Sequence, residues 1–146
     1  MQRNGFTLIE LMIVIAVMAL LAGVVVMTVG SSGGPTESAT RFAGRLAAAR
    51  DQAILTGRPI SAWISPSGYG FDQLRGGHWE PMTAKPFDGT DWGSGMQLNL
   101  TATAASRSRV RFDSLGMADQ PLAMTLTRAG RSAGVRVAAT GEVTVQ

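Results

Sequence analysis

The side chains best placed to do chemistry are a glutamate near the start of the sequence and a group of arginines near its end. Arg107, Arg109 and Arg111 alternate, so on a strand they face one side together. Arg128, Arg131 and Arg136 follow in a hairpin region. A ridge of guanidinium groups binds phosphates through charge-assisted hydrogen bonds, which would make a polyanion site. The plainer reading is a solvated strand face balanced by Asp113, Asp119 and Glu142. No aromatic residues interleave with these arginines, as a single-strand binder would prefer.

Other chemistry is sparse. His78 is the only histidine, so neither a His-rich metal site nor a Ser-His-Asp triad with a further histidine is available. There are no cysteines, which excludes disulfides, thiolate metal sites and thiol nucleophiles. Asp88-Gly89-Thr90-Asp91 offers oxygen ligands that calcium favours, but its spacing completes no known loop, and Asp-Gly is common turn chemistry. Gly33-Gly34-Pro35 follows an apolar run rather than a strand, so it is not a phosphate loop. The expectation is a non-enzyme with no cofactor and no metal.

The formal charge is +3, while the sequence pI is near 10.6. Lys85 is the only lysine and Tyr69 the only tyrosine, so little titrates between neutrality and the arginine range. The pI therefore overstates how basic the surface is, and as evidence for a polyanion partner it is weak.

Glu10 sits in an otherwise apolar segment. Phe6–Val29 would be ~36 Å long as a helix, enough to cross a ~30 Å hydrocarbon layer. Arg3 precedes it, which leaves residues 1–5 in the cytoplasm and sends the C-terminal part across. The run is too long for a cleaved secretory signal, and Met27-Thr28-Val29-Gly30 is a poor match to such a cleavage site. A single-span anchor explains everything except Glu10. A carboxylate costs roughly 2.5–3.5 kcal/mol near a bilayer centre and less at the interface, where a helix N-terminus favours it.

Gly5-Phe6-Thr7-Leu8-Ile9-Glu10 resembles the type IV prepilin processing motif: a short basic leader, a glycine, then Phe-Thr-Leu-Ile-Glu and an apolar run. The resemblance implies that a prepilin peptidase cuts between Gly5 and Phe6 and that the new amino terminus of Phe6 is N-methylated. It also implies that Glu10 pairs with the Phe6 amine of an adjacent subunit and sets axial register during assembly. An ammonium from the next subunit would remove the cost of the buried carboxylate.

These elements divide the chain into a leader over 1–5, a membrane and filament-core helix over 6–29, a Gly/Ser/Pro hinge over 30–35 and a periplasmic head over 36–146. Pro35 disfavours helical geometry at Gly34, a departure from the unbroken helix usual in pilin-like proteins. From Thr36, the residues Phe42, Leu46, Ala49 and Ala53 form one helical stripe, and Gly57 is the expected stop. Strands are expected at Ile60–Ser65 and Tyr69–Leu74 about a turn at Pro66-Ser67-Gly68, then at Met96–Thr101 and Arg109–Phe112. Three further runs alternate: Leu122, Met124 and Leu126; Val135 and Val137; Val143 and Val145. Residues from Gly76 to about Gly95 read as loop. The fold class is α+β, a transmembrane helix followed by an amphipathic helix packed on a mostly antiparallel, pilin-like sheet of six or seven strands.

Arg109-Val110-Arg111-Phe112-Asp113-Ser114-Leu115-Gly116, the closing Thr140-Gly141-Glu142-Val143, Gly57-Arg58-Pro59-Ile60 and Trp79 resemble the H-type minor pseudopilins of type II secretion and the related FimT-type minor pilins. The resemblance implies a structural subunit at or near the tip of a periplasmic pseudopilus, supporting its assembly and protein export across the outer membrane. Its partners would be the prepilin peptidase, the other minor pseudopilins and the major pseudopilin. It would sit in the bacterial inner membrane as a single-pass protein, and in the pseudopilus after assembly. The alternative is a FimT-type minor pilin of a type IV pilus that binds DNA for uptake through its C-terminal arginines. Heads of that type often carry cysteines and a Gly-Arg-x-Arg motif; this chain has neither, since Gly130-Arg131-Ser132-Ala133 lacks the second arginine.

Overall fold

The structure, a computed structural model, describes residues 8–28, 33–101 and 107–146, without the side chains of residues 20–28. Two compact units emerge, residues 1–32 and residues 33–146. The first contains α1 (Leu8–Thr28), whose residues from Leu8 to Ala19 are all exposed. A helix that is apolar on every side needs lipid or other helices around it.

The second unit opens with α2 (Pro35–Thr56), starting one residue before the expected point. Pro35 occupies the first helical turn, where its missing N–H costs nothing, and Gly34 before it is extended. Gly57 ends the helix in the left-handed conformation, its N–H returning to the Ile54 carbonyl. The expected stripe is the buried one: Phe42, Leu46, Ala49 and Ala53 are fully inaccessible, and Ala39 extends it by a turn. Burying Phe42 or Leu46 contributes about 1.5–3 kcal/mol each.

Among the described residues, nine strands form two antiparallel sheets. The first contains β1 (Ile60–Ser65), β2 (Gly68–Arg75), β3 (His78–Pro81), β4 (Thr90–Asp91) and β6 (Ser108–Phe112), in the order β3-β2-β1-β6 with β4 also on β2. The second contains β5 (Gln97–Leu100), β7 (Leu122–Arg128), β8 (Arg131–Val137) and β9 (Val143–Val145), in the order β5-β7-β8-β9. The expected loop from Gly76 to Gly95 thus carries two short strands, β3 and β4, added along β2. They were invisible as strands because an edge strand is held by backbone hydrogen bonds and needs no apolar alternation. β3 alternates nothing and buries little.

Helix α2 packs on strands of both sheets. Ile60, Ala62 and Ile64 from β1, Tyr69 and Phe71 from β2, and Val110 and Phe112 from β6 meet its stripe, as do Met124, Leu126, Val135 and Val137 from the second sheet. Phe42, Tyr69 and Trp92 form an aromatic knot, with the Tyr69 ring 4.5 Å from Phe42 and 4.7 Å from Trp92. The Trp92 indole N–H donates to the Ser65 carbonyl at 2.8 Å, so its polar end is satisfied. Burial pushes the Tyr69 hydroxyl above the ordinary phenol range, and the charge of Arg45, with a lesser pull from Arg41, brings it part of the way back.

Candidate functional site

Two places were expected to matter, the start of α1 and the arginine ridge. Glu10 is the third residue of α1, in its first turn, where a carboxylate complements the helix dipole. Gly5 and Phe6 lie outside the described residues. Among the described residues no helix is long and apolar enough to cross a membrane. The side chains of α1 are described only over residues 8–19, ~18 Å of helix, so the expected span over 6–29 lies partly outside that stretch.

The arginines do not form one ridge. Arg109 and Arg111 of β6 share the face of the first sheet turned away from α2, as alternation requires, and Arg107 just before them reaches the same face. On the second sheet Arg136 is exposed and out of phase with the buried Ala133, Val135 and Val137. Arg128 and Arg131 fall on the opposite parity and face each other across the Ala129-Gly130 turn. The hairpin therefore splits the second trio between two faces.

On the first sheet the arginines are already engaged. Arg109 reaches over β1 to Asp72 of β2 at 3.6 Å, and Asp72 is largely buried. Arg111 lies 4.0 Å from Asp119, and its guanidinium is 5.8 Å from the centre of the Trp79 ring of β3. Arg107 stacks over Trp63 of β1 at 5.3 Å. Aromatic residues thus do interleave with arginines, but across strands, which corrects the reading made along the chain. Trp63 lies flat against Gly70, where an added Cβ would meet the indole at 2.5 Å. Ser61 is fully buried beneath this layer of long side chains, although it sits on the outer face. Beside the Arg111–Trp79 stack lies an open, mainly apolar cleft of about 430 Å³, with Pro59, Leu74 and Met117 among its walls.

The remaining candidates separate. His78 opens β3 opposite Arg75 and is exposed, closing the tight Gly76-Gly77 turn. The Asp88 carboxylate lies 3.7 Å from Arg45, which also donates to the Asp88 carbonyl at 2.9 Å. Asp91 accepts from the Gly93 N–H at 3.1 Å, capping its own turn. The two aspartates therefore serve different partners, and among the described residues no three His, Asp or Glu side chains gather around a metal-sized space.

The structure adds a junction that the sequence had offered only as two separate motifs. Gly116 and Gly141 lie back to back, both with positive φ (79° and 80°). A Cβ on Gly141 would overlap the Gly116 carbonyl oxygen. Arg50 of α2 donates from Nε to that same oxygen at 3.2 Å, so a helix side chain ties α2 to the junction. Asp113 braces the first loop, its Oδ1 accepting from the Leu115 and Met117 N–H groups at 2.9 Å each. The available signal was that Phe112-x-x-x-Gly116 places a glycine just after a strand and Gly141-x-Val143 places one just before another.

Comparison with known proteins fits this architecture. A family model described as "Type II transport protein GspH" matches residues 38–141. A second, described as "Prokaryotic N-terminal methylation motif", matches residues 1–26. Type II secretion system protein H of Escherichia coli is 40% identical over 72 residues, 47% of this chain and 43% of that protein. Its namesake from Aeromonas hydrophila is 30% identical over 87 residues, 56% of this chain and 48% of that protein. The chain thus spans about half the length of the curated relatives it matches. Among solved structures, the minor pseudopilin EpsH of the Vibrio cholerae type 2 secretion system shares the fold with a TM-score of 0.66 at 20% identity, covering 78% of this chain and 97% of that one. The type IV minor pilin FimU of Pseudomonas aeruginosa does so with a TM-score of 0.57 at 15% identity, covering 77% and 87%. The GspH pattern runs through most of the chain, from the first turns of α2 to Gly141 at the junction with Gly116, and the chain belongs to the type II transport protein GspH family.

Proposed function

We propose that this chain is a minor pseudopilin of a type II secretion system, a structural subunit at or near the tip of the periplasmic pseudopilus that supports its assembly and protein export across the outer membrane. The observation that carries the reading is the joining, in one chain, of an N-terminal methylation motif with a GspH-type head. In this reading the prepilin peptidase cuts after Gly5, Phe6 is N-methylated, and Glu10 takes the Phe6 ammonium of a neighbouring subunit. Residues 6–29 anchor the chain in the inner membrane, with residues 1–5 in the cytoplasm and the head, residues 36–146, in the periplasm. Residues 30–35 join the two as a hinge. The other minor pseudopilins and the major one are its neighbours. The work is mechanical, not catalytic.

The FimT-type alternative, DNA uptake through the arginines, draws less support. Arg109 and Arg111 already hold Asp72 and Asp119, and Arg136 lies on another sheet.

Restoring secretion in a strain lacking its own H-type subunit tests the reading. The wild-type chain is expected to restore export and to carry N-methylated Phe6 by mass spectrometry. Glu10→Ala is expected to reach the membrane at normal levels yet fail to enter filaments. Normal export with Glu10→Ala would refute the pairing, and a wild-type chain that restores nothing would refute the assignment.

A further inference from the structure

The edges of the two sheets are protected unequally. The β6 edge is closed by the chain that follows it. Gln120 donates to the Arg109 carbonyl at 2.6 Å, the Asp119 carboxylate accepts from the Arg111 N–H at 2.9 Å, and the Asp119 N–H donates to the Arg111 carbonyl at 2.9 Å. β3 is a four-residue edge carrying Glu80 and ending in Pro81, both of which discourage pairing. β9 is three residues long and packs against α2. β5, Gln97-Leu98-Asn99-Leu100, has no charge and no proline, and sits at the margin of its sheet.

The pairing pattern shows which groups this margin presents. The Thr101 N–H donates to the Ala123 carbonyl at 3.1 Å, and antiparallel bonding alternates, so Gln97, Asn99 and Thr101 bond to β7. The N–H and carbonyl groups of Leu98 and Leu100 then point away from the sheet. Among the described residues no backbone hydrogen bond links them to anything beyond β7. Their side chains are half-buried against the core, while Gln97 and Asn99 are exposed on the other face.

This arrangement is self-complementary. A two-fold axis through Asn99 sets Leu98 opposite Leu100 of a second copy, Asn99 opposite Asn99, and Gln97 opposite Thr101. The outward-pointing groups of Leu98 and Leu100 then become the hydrogen-bonded pairs, giving four new bonds. Apolar side chains meet on the core face and amides meet on the outer face, as cross-strand pairing favours. We propose that β5 pairs antiparallel with β5 of a second copy of this chain, joining the two four-stranded sheets into one continuous sheet. The contact is small, well below the ~1,200 Å² of stable interfaces, so the pair is transient and best detected by trapping.

The chain has no cysteine, so one introduced thiol reports a single position. In the full chain in detergent, Asn99→Cys places two Cβ atoms roughly 4.5–5.5 Å apart in the pair, close to disulfide reach. Mild oxidation is expected to convert it to a covalent dimer. Ser132→Cys, exposed on the middle strand β8, is expected to stay monomeric. Sedimentation of the wild-type chain is expected to show weak concentration-dependent association, and Asn99→Lys, which sets two ammonium groups face to face on an exposed position, is expected to abolish it. Equal cross-linking of Asn99→Cys and Ser132→Cys, or unchanged association of Asn99→Lys, would overturn the proposal. So would oxidation in native membranes that joins Asn99→Cys to a different protein instead of its own copy.

Discussion

Replacing Gly141 by alanine separates the cost of a left-handed backbone from the cost of the junction around it. Gly141 has φ 80°, a conformation that disfavours any residue with a Cβ by roughly 1–2 kcal/mol. The new methyl would also overlap the Gly116 carbonyl oxygen and lie 3.1 Å from Arg50 Nε. Backbone cannot step aside as a flexible side chain can, so the two loops must part. Their parting breaks the charged Arg50–Gly116 hydrogen bond, worth about 1.5–3 kcal/mol. The total is about 3–5 kcal/mol. Gly130→Ala is the control: its φ is 75°, yet no heavy atom lies within 4 Å of the added Cβ. It should lose only the conformational part, about 1–2 kcal/mol. At about 3–6 °C per kcal/mol for a head of this size, thermal unfolding followed by circular dichroism should fall by ~10–30 °C for Gly141→Ala and by ~3–12 °C for Gly130→Ala. Equal losses would refute the junction, because φ alone would then account for both.

Two further outcomes follow from the head. Tyr69 is the only tyrosine, so tyrosinate absorbance reports one group. The fold holds its proton more tightly than the unfolded chain does, chiefly through burial. The associated stability is therefore complete below about pH 10 and is lost as pH rises through the folded-state value. A titration midpoint at or below that of free tyrosine would contradict the aromatic knot. Asp72→Ala should cost about 1–3 kcal/mol in urea unfolding, since it strips Arg109 of its partner above the buried Ser61. Glu37→Ala, in the exposed pair with Arg41, should cost less than about 1 kcal/mol; equal effects would mean that the outer layer is solvated surface.

What could be read from the chain alone was whatever depends on near neighbours. The α2 stripe, its Gly57 stop, the extended Gly34 and the β1–β2 hairpin all follow from helical period, turn residues and proline sterics, which act within a few positions. The apolar run of α1 and the place of Glu10 in it are equally local. Only the tertiary structure decided which distant residues meet. Strand pairing brought Trp63 and Trp79 to arginines far along the chain, and Asp72, not one of the expected counter-charges, to Arg109. Packing of α2 over both sheets set Arg50 against the Gly116–Gly141 junction. The Ala129-Gly130 turn set Arg128 opposite Arg131, while strand alternation put Arg136 on the other face. β3 and β4 escaped notice because backbone hydrogen bonding along an edge leaves no pattern in side chains. Pairing partners are chosen by the whole sheet, and a sequence records the face a residue takes more plainly than the neighbour it will have.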